Sequence, residues 1–320
     1  MKVDFLEVFL VSSPEYRDRV KGALYGQALG DALGMPYEFD VDAGSIEGLI
    51  PMCPPGFEES ASNFKPGEWT DDTQQAIALA YASLEDGDFP RAFAKRLYEW
   101  YQTAEDVGAT TTQVILHEKF LSDPINTSWR VWEGYGRNRP ANGGVMRAVG
   151  VAITQDFNWE RTKSKAIQGC KVTHYDSRCV ASAVAVTRAL CDLFNRRDIV
   201  SALSAAEQVG MEIDPGCSSV CNSSLEHLGL GDLPIGHTYK CLGAGFWALR
   251  ELQERRWPLL FHEILSRIIK EGGDTDTNAA VAGALMGAFM GFSNIPQGLI
   301  ESLCGKEKLE ELLFQIWQRR

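Results

Sequence analysis

Residues 272–291 read GGDTDTNAAVAGALMGAFMG, and this stretch joins an oxygen-rich start to a regular series of glycines. Two carboxylates and two hydroxyls occupy the consecutive positions 274–277, directly ahead of a run of small residues. Gly283, Gly287 and Gly291 then recur at every fourth position. In an α-helix this spacing puts the glycines in one nearly continuous stripe, where bare backbone lets another helix approach closely. The stretch therefore predicts a tightly packed helix with polar oxygens at its N-terminus.

A second stretch repeats the glycine series near the other end of the chain. The segment KGALYGQALGDALG at 21–34 has glycines at four-residue intervals, at Gly22, Gly26, Gly30 and Gly34. Each glycine inside a helix costs roughly 1 kcal/mol relative to alanine, so a regular series needs a compensating reason such as close packing. We expect these two glycine-striped helices to lie close to the functional centre.

A second oxygen-rich helix start lies in GEWTDDTQQAIALA at 67–80. Thr and Asp cap helices well, so N-capping is the simple alternative, but one such residue would be enough for it. Adjacent carboxylates repel each other unless a cation lies between them, and the pattern occurs twice. Hydroxyl and carboxylate oxygens suit Mg²⁺, Mn²⁺ or Ca²⁺ better than Zn²⁺. Four aspartates could hold two divalent ions, an arrangement that polarises a substrate and positions a water molecule.

Composition limits the class of protein. The 320 residues are 45% hydrophobic and 23% charged, and the formal charge of −12 argues against binding nucleic acid through an overall basic surface. The eight cysteines are scattered and are typical of reduced core residues. Asp4 and Glu7 interrupt the apolar N-terminal run, which argues against a signal peptide, and no segment reaches the roughly 18 apolar residues of a membrane span. We expect a monomeric cytoplasmic protein.

Helical periodicity dominates the chain. Apolar residues recur at three- and four-residue steps in segments such as DSRCVASAVAVTRALCDLF, whereas SIEGLIPM is the best, and poor, candidate for a strand. Two segments rich in Pro, Gly and Ser, at 51–68 and 210–224, are predicted to be long surface loops. The pattern predicts one all-α domain of about a dozen helices over residues 1–320.

Five motifs now carry a family resemblance. In chain order they are GALYGQALGDALGMPYE, WTDDT, NGGVMR, TH at 173–174 and GGDTDTNAAVAGALMGA, which span residues 22 to about 291. With them the chain resembles the ADP-ribosylglycohydrolase family, which includes the bacterial dinitrogenase reductase-activating glycohydrolase and the animal ADP-ribosyl hydrolases. Each motif alone is weak, but all five in order are highly specific.

The resemblance implies a compact orthogonal helical bundle with a cleft for two divalent metal ions, Mg²⁺ or Mn²⁺. The residues that match the family's metal ligands are Thr70, Asp71, Asp72, Asp274, Asp276 and Thr277. Glu38, which closes GMPYE, corresponds to an acid beside the metals on a mobile segment.

A loop for ADP-ribose is also implied by the resemblance. His174 matches a histidine near the diphosphate, and the loop itself matches Asn142, Gly143, Gly144 and Met146. The two glycines would leave backbone N–H groups open to phosphate oxygens. From the residues alone, NGG is also an ordinary turn and His174 a structural histidine. Arg147 is as consistent with pairing to an internal carboxylate as with substrate contact.

The remaining candidate is Asp106, in the segment EDVGATT. This segment resembles the family stretch DIGNTT, whose Asp lies near the reacting sugar, but Ala109 stands here in place of the Asn. Asp106 or Glu38 would act as general base, or as the acid that assists the leaving group. A carboxylate beside a dication keeps a low pKa, which favours the base role.

The leading hypothesis is a binuclear metal-dependent hydrolase that removes ADP-ribose from a modified protein. Two alternatives stay open. One is a non-catalytic ADP-ribose-binding or structural protein, which fits the departure at Ala109. The other is a hydrolase of a small molecule such as an O-acyl-ADP-ribose or another N-glycoside. The residues do not separate arginine, serine and nucleobase linkages, and we expect the loops at 51–68 and 211–236 to determine that choice.

Overall fold

The computed structural model describes residues 13–39, 43–57, 64–254 and 260–319. Within these ranges the chain forms sixteen α-helices and no β-strand, which confirms the predicted all-α fold. The helices are α1 Pro14–Gly34, α2 Asp71–Leu84, α3 Phe89–Tyr101, α4 Ala109–Ile115, α5 Pro124–Gly134, α6 Val149–Ala152, α7 Trp159–Lys171, α8 Ser177–Phe194, α9 Ile199–Met211, α10 Ser218–Cys221, α11 Leu225–Leu228, α12 Thr238–Glu254, α13 Leu260–Lys270, α14 Thr275–Met290, α15 Gln297–Ser302 and α16 Lys306–Gln318.

Short 3₁₀ turns connect several of these helices. They are Met35–Tyr37, Ala43–Ser45, Asn142–Gly144, Pro215–Cys217 and Phe292–Asn294. The segment SIEGLIPM, which was the best but a poor candidate for a strand, begins at the end of one such turn and continues as irregular backbone with bends. Its backbone is tied to α13 instead, because the Ile50 N–H donates to Ser266 Oγ at 2.9 Å.

The predicted loop at 210–224 was also wrong in part, because it contains a 3₁₀ turn and α10. Asp214 starts this structure by accepting a hydrogen bond from the Gly216 N–H at 3.0 Å. Cys217 and Cys221 then lie one helical turn apart and are both buried, so two apolar side chains fix the segment on the core. In the other predicted loop, residues 51–57 and 64–68 form no regular helix, and the rest lies outside the described residues.

The two glycine-striped helices, α1 and α14, pack directly against each other, so each is the close helix neighbour that the other's glycine series predicts. A Cβ atom built on Gly26 would lie 2.1 Å from the Gly283 carbonyl oxygen, and one built on Gly287 would lie 2.0 Å from the Gly22 carbonyl oxygen. Real Cβ atoms do not approach backbone so closely. The glycine series therefore exists to bring two helix backbones into contact, which more than offsets the cost of glycine inside each helix.

The core lies around α1, α8 and α14. Nearly every residue of α14 from Thr275 to Met290 is buried, and the same is true of α1 from Val20 onward and of α8 from Cys179 onward. A helix that is buried on all sides needs small or apolar residues all round rather than an apolar stripe. None of the helices in the described ranges has both the length and the apolar character needed to cross a membrane.

Candidate metal centre and active site

A cavity of about 880 Å³ opens where α2 and α14 begin and α1 ends. Six carboxylic acids line it, which brings together both acidic motifs and both predicted catalytic acids. These acids are Glu38, Asp71, Asp72, Asp106, Asp274 and Asp276. We call Glu38, Asp71, Asp72, Asp274 and Asp276 the acidic floor.

The acidic floor is assembled by three chain segments that end or begin at the cavity. Glu38 follows the 3₁₀ turn that ends α1, Asp71 and Asp72 form the first turn of α2, and Asp274 and Asp276 flank the first residue of α14. Gly34 lets these segments meet, because a Cβ atom there would lie 2.5 Å from Asp276 Cα.

The carboxylates form two overlapping groups. Oxygens of Glu38, Asp274 and Asp276 lie within 4.8 Å of one another, and so do oxygens of Asp31, Asp72 and Asp276. Asp276 belongs to both groups, so it lies between the two acidic helix starts. Asp276 therefore connects the carboxylates at the start of α14 with those at the start of α2.

Neither acidic motif is explained by N-capping. The Thr70 side chain makes no capping hydrogen bond to α2, and the Asp274 side chain makes none to α14. Within the described residues, Asp72 Oδ1 and Asp274 Oδ1 are buried and have no hydrogen-bond partner at all. Buried carboxylate oxygens without donors are costly, and a cation is the partner that such oxygens lack. The donor set, hard oxygens only, fits Mg²⁺ or Mn²⁺.

Burial and mutual repulsion dominate the electrostatics of the acidic floor. Burial raises the pKa values of Asp71, Asp72 and Asp276 well above their ordinary value, and the neighbouring carboxylates raise them further. The pKa of Glu38 rises to about 8, first because of burial and then because of Asp274 and Asp106. Among the described residues, no basic side chain forms an ion pair with these acids, so their charged forms are disfavoured until a cation is added.

Asp31 is a buried acid that the sequence analysis did not single out. It lies on α1 beneath the acidic floor, is 0% exposed, and accepts four hydrogen bonds from Thr70 and Thr73. Burial raises its pKa to about 6, although the four donors oppose the shift. Its presence inside the motif GQALGDALG was visible, but nothing in the local pattern indicated that it reaches α2.

The predicted ADP-ribose loop forms the wall of the cavity beside the acidic floor. Asn142 Nδ2 donates to Asp274 Oδ2 at 2.8 Å, which ties the loop to the start of α14. The Asn142 N–H donates to the Gly236 carbonyl oxygen at 3.0 Å, and Ala141 and His237 form an isolated antiparallel bridge. The segment Pro234–His237 therefore lies against this loop and lines the cavity with it.

His174 packs against this loop, and its imidazole ring lies next to Gly143. A Cβ atom on Gly143 would lie 2.7 Å from His174 Cε1, so only glycine fits there. Burial lowers the pKa of His174 well below its ordinary value, and Arg147 and Arg139 lower it further. The imidazole is therefore neutral, and its Nδ1 atom is 2.8 Å from Thr173 Oγ1. A neutral histidine that lines the cavity can donate or accept one hydrogen bond there.

Arg147 lies behind the cavity and does not line it. Its guanidinium is fully buried and donates to Gln75 Oε1 at 2.7 Å and to Thr173 Oγ1 at 2.6 Å. Gln75 Nε2 in turn donates to Asp71 Oδ2 at 2.8 Å. Arg147 thus reaches a carboxylate only through a carboxamide, so neither sequence interpretation of this arginine was right. The chain of contacts links Asp71 to the side of the cavity where His174 lies.

Asp106 also lines the cavity, in the segment ahead of α4. It is partly exposed and belongs to neither group of close carboxylates. Burial raises its pKa, and the charge of Asp274 raises it further. Ala109 begins α4 and lines the cavity, so the departure from the family pattern falls inside the site.

The sequence profile of the family described as ADP-ribosylglycohydrolase matches residues 12–320. The chain belongs to the ADP-ribosylglycohydrolase family. The profile spans nearly the whole chain and contains every motif on which the resemblance depended.

Curated relatives in the family cover almost the same length. ADP-ribosylarginine hydrolase Tri1 of Serratia proteamaculans is 26% identical over 96% of this chain and 81% of its own. Human ADP-ribosylhydrolase ARH3 is 27% identical over 94% of both chains. The ADP-ribosyl-[dinitrogen reductase] glycohydrolase of Rhodospirillum rubrum is 25% identical over 94% of this chain and 95% of its own. The family and these relatives are hydrolases that act on ADP-ribose linkages.

A solved structure supports the fold. The chain described as an ADP-ribosylglycohydrolase-related protein complex superposes with a TM-score of 0.72 at 24% identity, covering 96% of this chain and 99% of that one. At that level of identity the likeness shows a common fold and says nothing of substrate.

Most residues that match the family motifs line the cavity. Besides the acids, these are Asn142, Gly143, Met146, His174 and Thr277. Thr70 and Gly144 are not among the lining residues. Gly144 packs on Cys170, whose Sγ atom would lie 2.5 Å from a Cβ atom at that position.

Sequence reasoning missed several lining residues. Arg139 and Arg178 supply positive charge to the cavity, and Pro234–His237 completes its wall. The segment 211–236 thus reaches the cavity at its end, whereas the described residues of 51–68 do not line it.

Proposed function

We propose that this protein hydrolyses the bond between the ribose anomeric carbon of ADP-ribose and an acceptor, with two divalent metal ions, Mg²⁺ or Mn²⁺. The observation that carries the proposal is the convergence of five carboxylates on one floor, where no basic side chain in the described part of the chain forms an ion pair with them. The buried, unpartnered oxygens of Asp72 and Asp274 support it, since they lack a donor and suit a cation.

The proposed ligands of the ions are the residues that match the family motifs. Asp71 and Asp72 come from α2, Asp274 and Asp276 from α14, and Thr70 and Thr277 add hydroxyl oxygens. Thr277 Oγ1 lies 3.3 Å from Asp72 Oδ2, which is consistent with both facing one cation. When bound, divalent ions of this kind polarise substrate hydroxyls and lower the pKa of water.

The proposed substrate site is the wall that the loop at 142–146 forms beside the acidic floor. Asn142, Gly143 and Met146 would bind ADP-ribose, with neutral His174 beside the diphosphate and Gly144 supporting the loop from behind. Arg139 adds a cation to this wall, where a diphosphate needs one because the floor is acidic. A cavity of about 880 Å³ is large enough for a ligand of this size.

Proton transfer is assigned to Asp106 in this proposal. Asp106 lines the cavity but lies outside both groups of close carboxylates, so it is free to accept a proton from water or to protonate a leaving group. Glu38 lies within 4.8 Å of Asp274 and Asp276 and would be charge-compensated by a nearby cation. We therefore place Glu38 beside the ions and make Asp106 the first candidate for the general base.

The acceptor proposed first is a protein side chain, since two of the relatives are named for ADP-ribosylarginine and for dinitrogen reductase. The test is incubation with arginine-linked and serine-linked ADP-ribosyl peptides, with Mg²⁺ or Mn²⁺, followed by measurement of free ADP-ribose. We expect metal-dependent release from at least one peptide and none from the Asp106→Asn variant.

The departure at Ala109 favours a second candidate function, an ADP-ribose-binding protein without catalysis. It would bind ADP-ribose in calorimetry yet release none from any peptide. Release only from an O-acyl-ADP-ribose would instead identify a small-molecule hydrolase.

A further inference from the structure

Asp31, a residue of α1, accepts hydrogen bonds from backbone N–H groups at the N-terminus of α2. The Thr70 N–H donates to Asp31 Oδ1 at 2.8 Å, and the Thr73 N–H donates to Asp31 Oδ2 at 3.0 Å. These N–H groups are among the four that an α-helix leaves without partners at its start. A side chain from within α2 would normally accept them, but Thr70 does not. Asp31 therefore caps α2 from α1.

The same carboxylate also accepts both threonine hydroxyls. Thr70 Oγ1 lies 3.0 Å from Asp31 Oδ1, and Thr73 Oγ1 lies 2.6 Å from Asp31 Oδ2. An ionised carboxylate has roughly four lone-pair positions, and all four now have donors. Asp31 lies within 4.8 Å of Asp72 and Asp276 and so resembles a metal ligand by distance alone. Its hydrogen bonds leave it no oxygen lone pair for a cation.

This arrangement has a consequence for Thr70. A threonine hydroxyl has one hydrogen and two lone pairs, so donating the hydrogen to Asp31 leaves the lone pairs available to a cation. The contact from Thr70 Oγ1 to Asp72 Oδ2 is longer, at 3.3 Å. Because Asp31 caps α2, the side chains of Asp71 and Asp72 are not needed as caps and can face the cavity.

Close helix packing fixes Asp31 in this position. A Cβ atom on Gly30 would lie 2.0 Å from the Ala279 carbonyl oxygen, so the backbone next to Asp31 is pressed against α14. Asp31 thus joins α1, which is fixed on α14, to the first turn of α2.

We propose that Asp31 is a positioning residue that holds Thr70 and the first turn of α2 in register with α14, and that it is not itself a metal ligand. The proposal rests on the proposed function, because it concerns the geometry of the metal site. Partners that orient metal ligands commonly contribute 10- to 100-fold to metal affinity.

The test is calorimetric titration of the full-length apo protein with Mn²⁺, together with apo melting. Asp31→Asn keeps the shape of the side chain but replaces one carboxylate oxygen, which accepts two hydrogen bonds, with an NH₂ group that can only donate. Thr73→Val removes one hydroxyl that can influence the ions only through Asp31. Thr187→Val is the matched control, since this buried threonine donates to the Ala183 carbonyl oxygen within α8, away from the cavity.

We expect Asp31→Asn to weaken Mn²⁺ binding by about 10- to 100-fold with the number of bound ions unchanged. Thr73→Val should weaken it by about 3- to 10-fold, and Thr187→Val by less than about twofold. Loss of one bound ion in Asp31→Asn would make Asp31 a direct ligand and overturn the proposal. So would a Thr73→Val affinity equal to that of Thr187→Val, a result that does not require the Asp31 variant to fold.

The outcome for the unmutated protein separates this proposal from the proposed function. If it binds Mn²⁺ and both variants bind equally well, only the role of Asp31 is refuted. If the unmutated protein binds no Mn²⁺ or Mg²⁺, the metal-dependent function is refuted, and the role of Asp31 with it.

Discussion

Asp72 and Asp176 are both buried carboxylates, 1% and 2% exposed, yet the protein treats them in opposite ways. Asp176 accepts hydrogen bonds from the Trp132 indole at 3.0 Å, from the Arg139 N–H at 3.1 Å and from the Arg178 guanidinium at 2.7 Å. Burial is the largest single influence and acts to raise its pKa, but the hydrogen bonds from Arg178, Trp132 and the Arg139 N–H together lower it below the ordinary value. Asp72 has one oxygen without a partner and a strongly raised pKa.

The hydrogen-bond partners of a buried acid, rather than its burial, indicate its role. An acid that is fully paired, such as Asp176, contributes to the folded structure, whereas an acid left without donors among other acids marks a place for a cation. Burial alone would not separate the two.

Asp274→Asn should nearly abolish metal binding without destabilising the apo protein. The introduced amide oxygen can still accept the hydrogen bond from Asn142, so the shape of the site is kept, but one negative charge is lost. We expect Mn²⁺ affinity and turnover to fall together by more than about 100-fold, beyond the usual effect of an outer-shell partner. The apo melting temperature should stay unchanged or rise, because one source of repulsion is gone.

Calorimetric titration and apo melting of both proteins decide the matter. Excess metal should partly restore turnover in the variant. Unchanged metal affinity in Asp274→Asn would remove the main physical support for a metal-dependent enzyme. Asp274 would then have a structural role, as Asp176 does.

Removing metal should destabilise the unmutated protein. An ion that binds only the folded state at 100 times its Kd adds about 2.7 kcal/mol, which for a chain of this length corresponds to roughly 4 °C in Tm. We expect Mn²⁺ to raise Tm by about this amount over the chelated protein, and to have little effect on Asp274→Asn. An equal rise in both proteins would show that the stabilising ion binds elsewhere.

Asp176→Asn should give the opposite pattern to Asp274→Asn. Replacing a carboxylate that accepts charge-assisted bonds from Arg178 should cost about 2 kcal/mol of unfolding free energy. Mn²⁺ affinity should change by less than about twofold, since Asp176 belongs to neither group of close carboxylates. Urea unfolding and Mn²⁺ titration measure the two effects. A large loss of metal affinity with no loss of stability would contradict the distinction between the paired Asp176 and the unpaired acids of the acidic floor.

The same contrast should appear in the pH dependence of stability. The folded-state pKa of Glu38 is about 8 against an ordinary 4.5, so the folded apo protein binds more protons than the unfolded chain between these values. Stability of the apo protein should therefore fall as pH rises from about 5 to 8. The pKa of Asp176 is lowered, so its contribution is kept at these pH values and is lost only below its ordinary value of 3.8. Thermal unfolding of chelated protein across this range tests the sign, and Mn²⁺ should flatten the slope.

Much of this site could be predicted from the sequence because its acids follow local rules. The carboxylates of WTDDT and GGDTDT occur at helix starts, where their number exceeds what capping requires, and the glycine series predicted close helix packing near the site, although not that α1 and α14 pair with each other. Asp31 was missed because it lies in the last turn of α1, away from either acidic helix start in sequence, and only the contact between α1 and α2 brings it to Thr70. The segment 211–236 was expected to affect specificity, but the position of Pro234–His237 on the wall was not predicted, because one isolated bridge places it there and a single bridge has no periodic pattern.

Substitution of Arg139 is expected to have the smallest effect. This residue connects the paired acid Asp176 with the cavity, because its backbone N–H donates to Asp176 and its side chain lines the cavity. Its Nε atom donates to Thr110 Oγ1 at 3.0 Å, and its guanidinium lies 4.1 Å from the centroid of the Tyr135 ring. Within the described residues, its two terminal nitrogens make no hydrogen bond or ion pair, and the side chain lines the cavity. The residues around Asp176 therefore place the positive charge of Arg139 on the wall beside the acidic floor.

Arg139→Gln should weaken binding only of ligands that carry phosphate. Losing one charge-assisted bond to a diphosphate should raise KM for an ADP-ribosyl substrate by about tenfold, or ~1.4 kcal/mol, with kcat changed by less than about threefold. Calorimetry should give a similar loss for ADP-ribose and AMP and none for adenosine. Arg137→Gln is the control, because that exposed side chain pairs with Glu133 and does not line the cavity. Equal losses for adenosine and ADP-ribose would mean that Arg139 only shapes the wall, as a partner of Thr110 and Tyr135, and that the diphosphate finds its positive charge elsewhere.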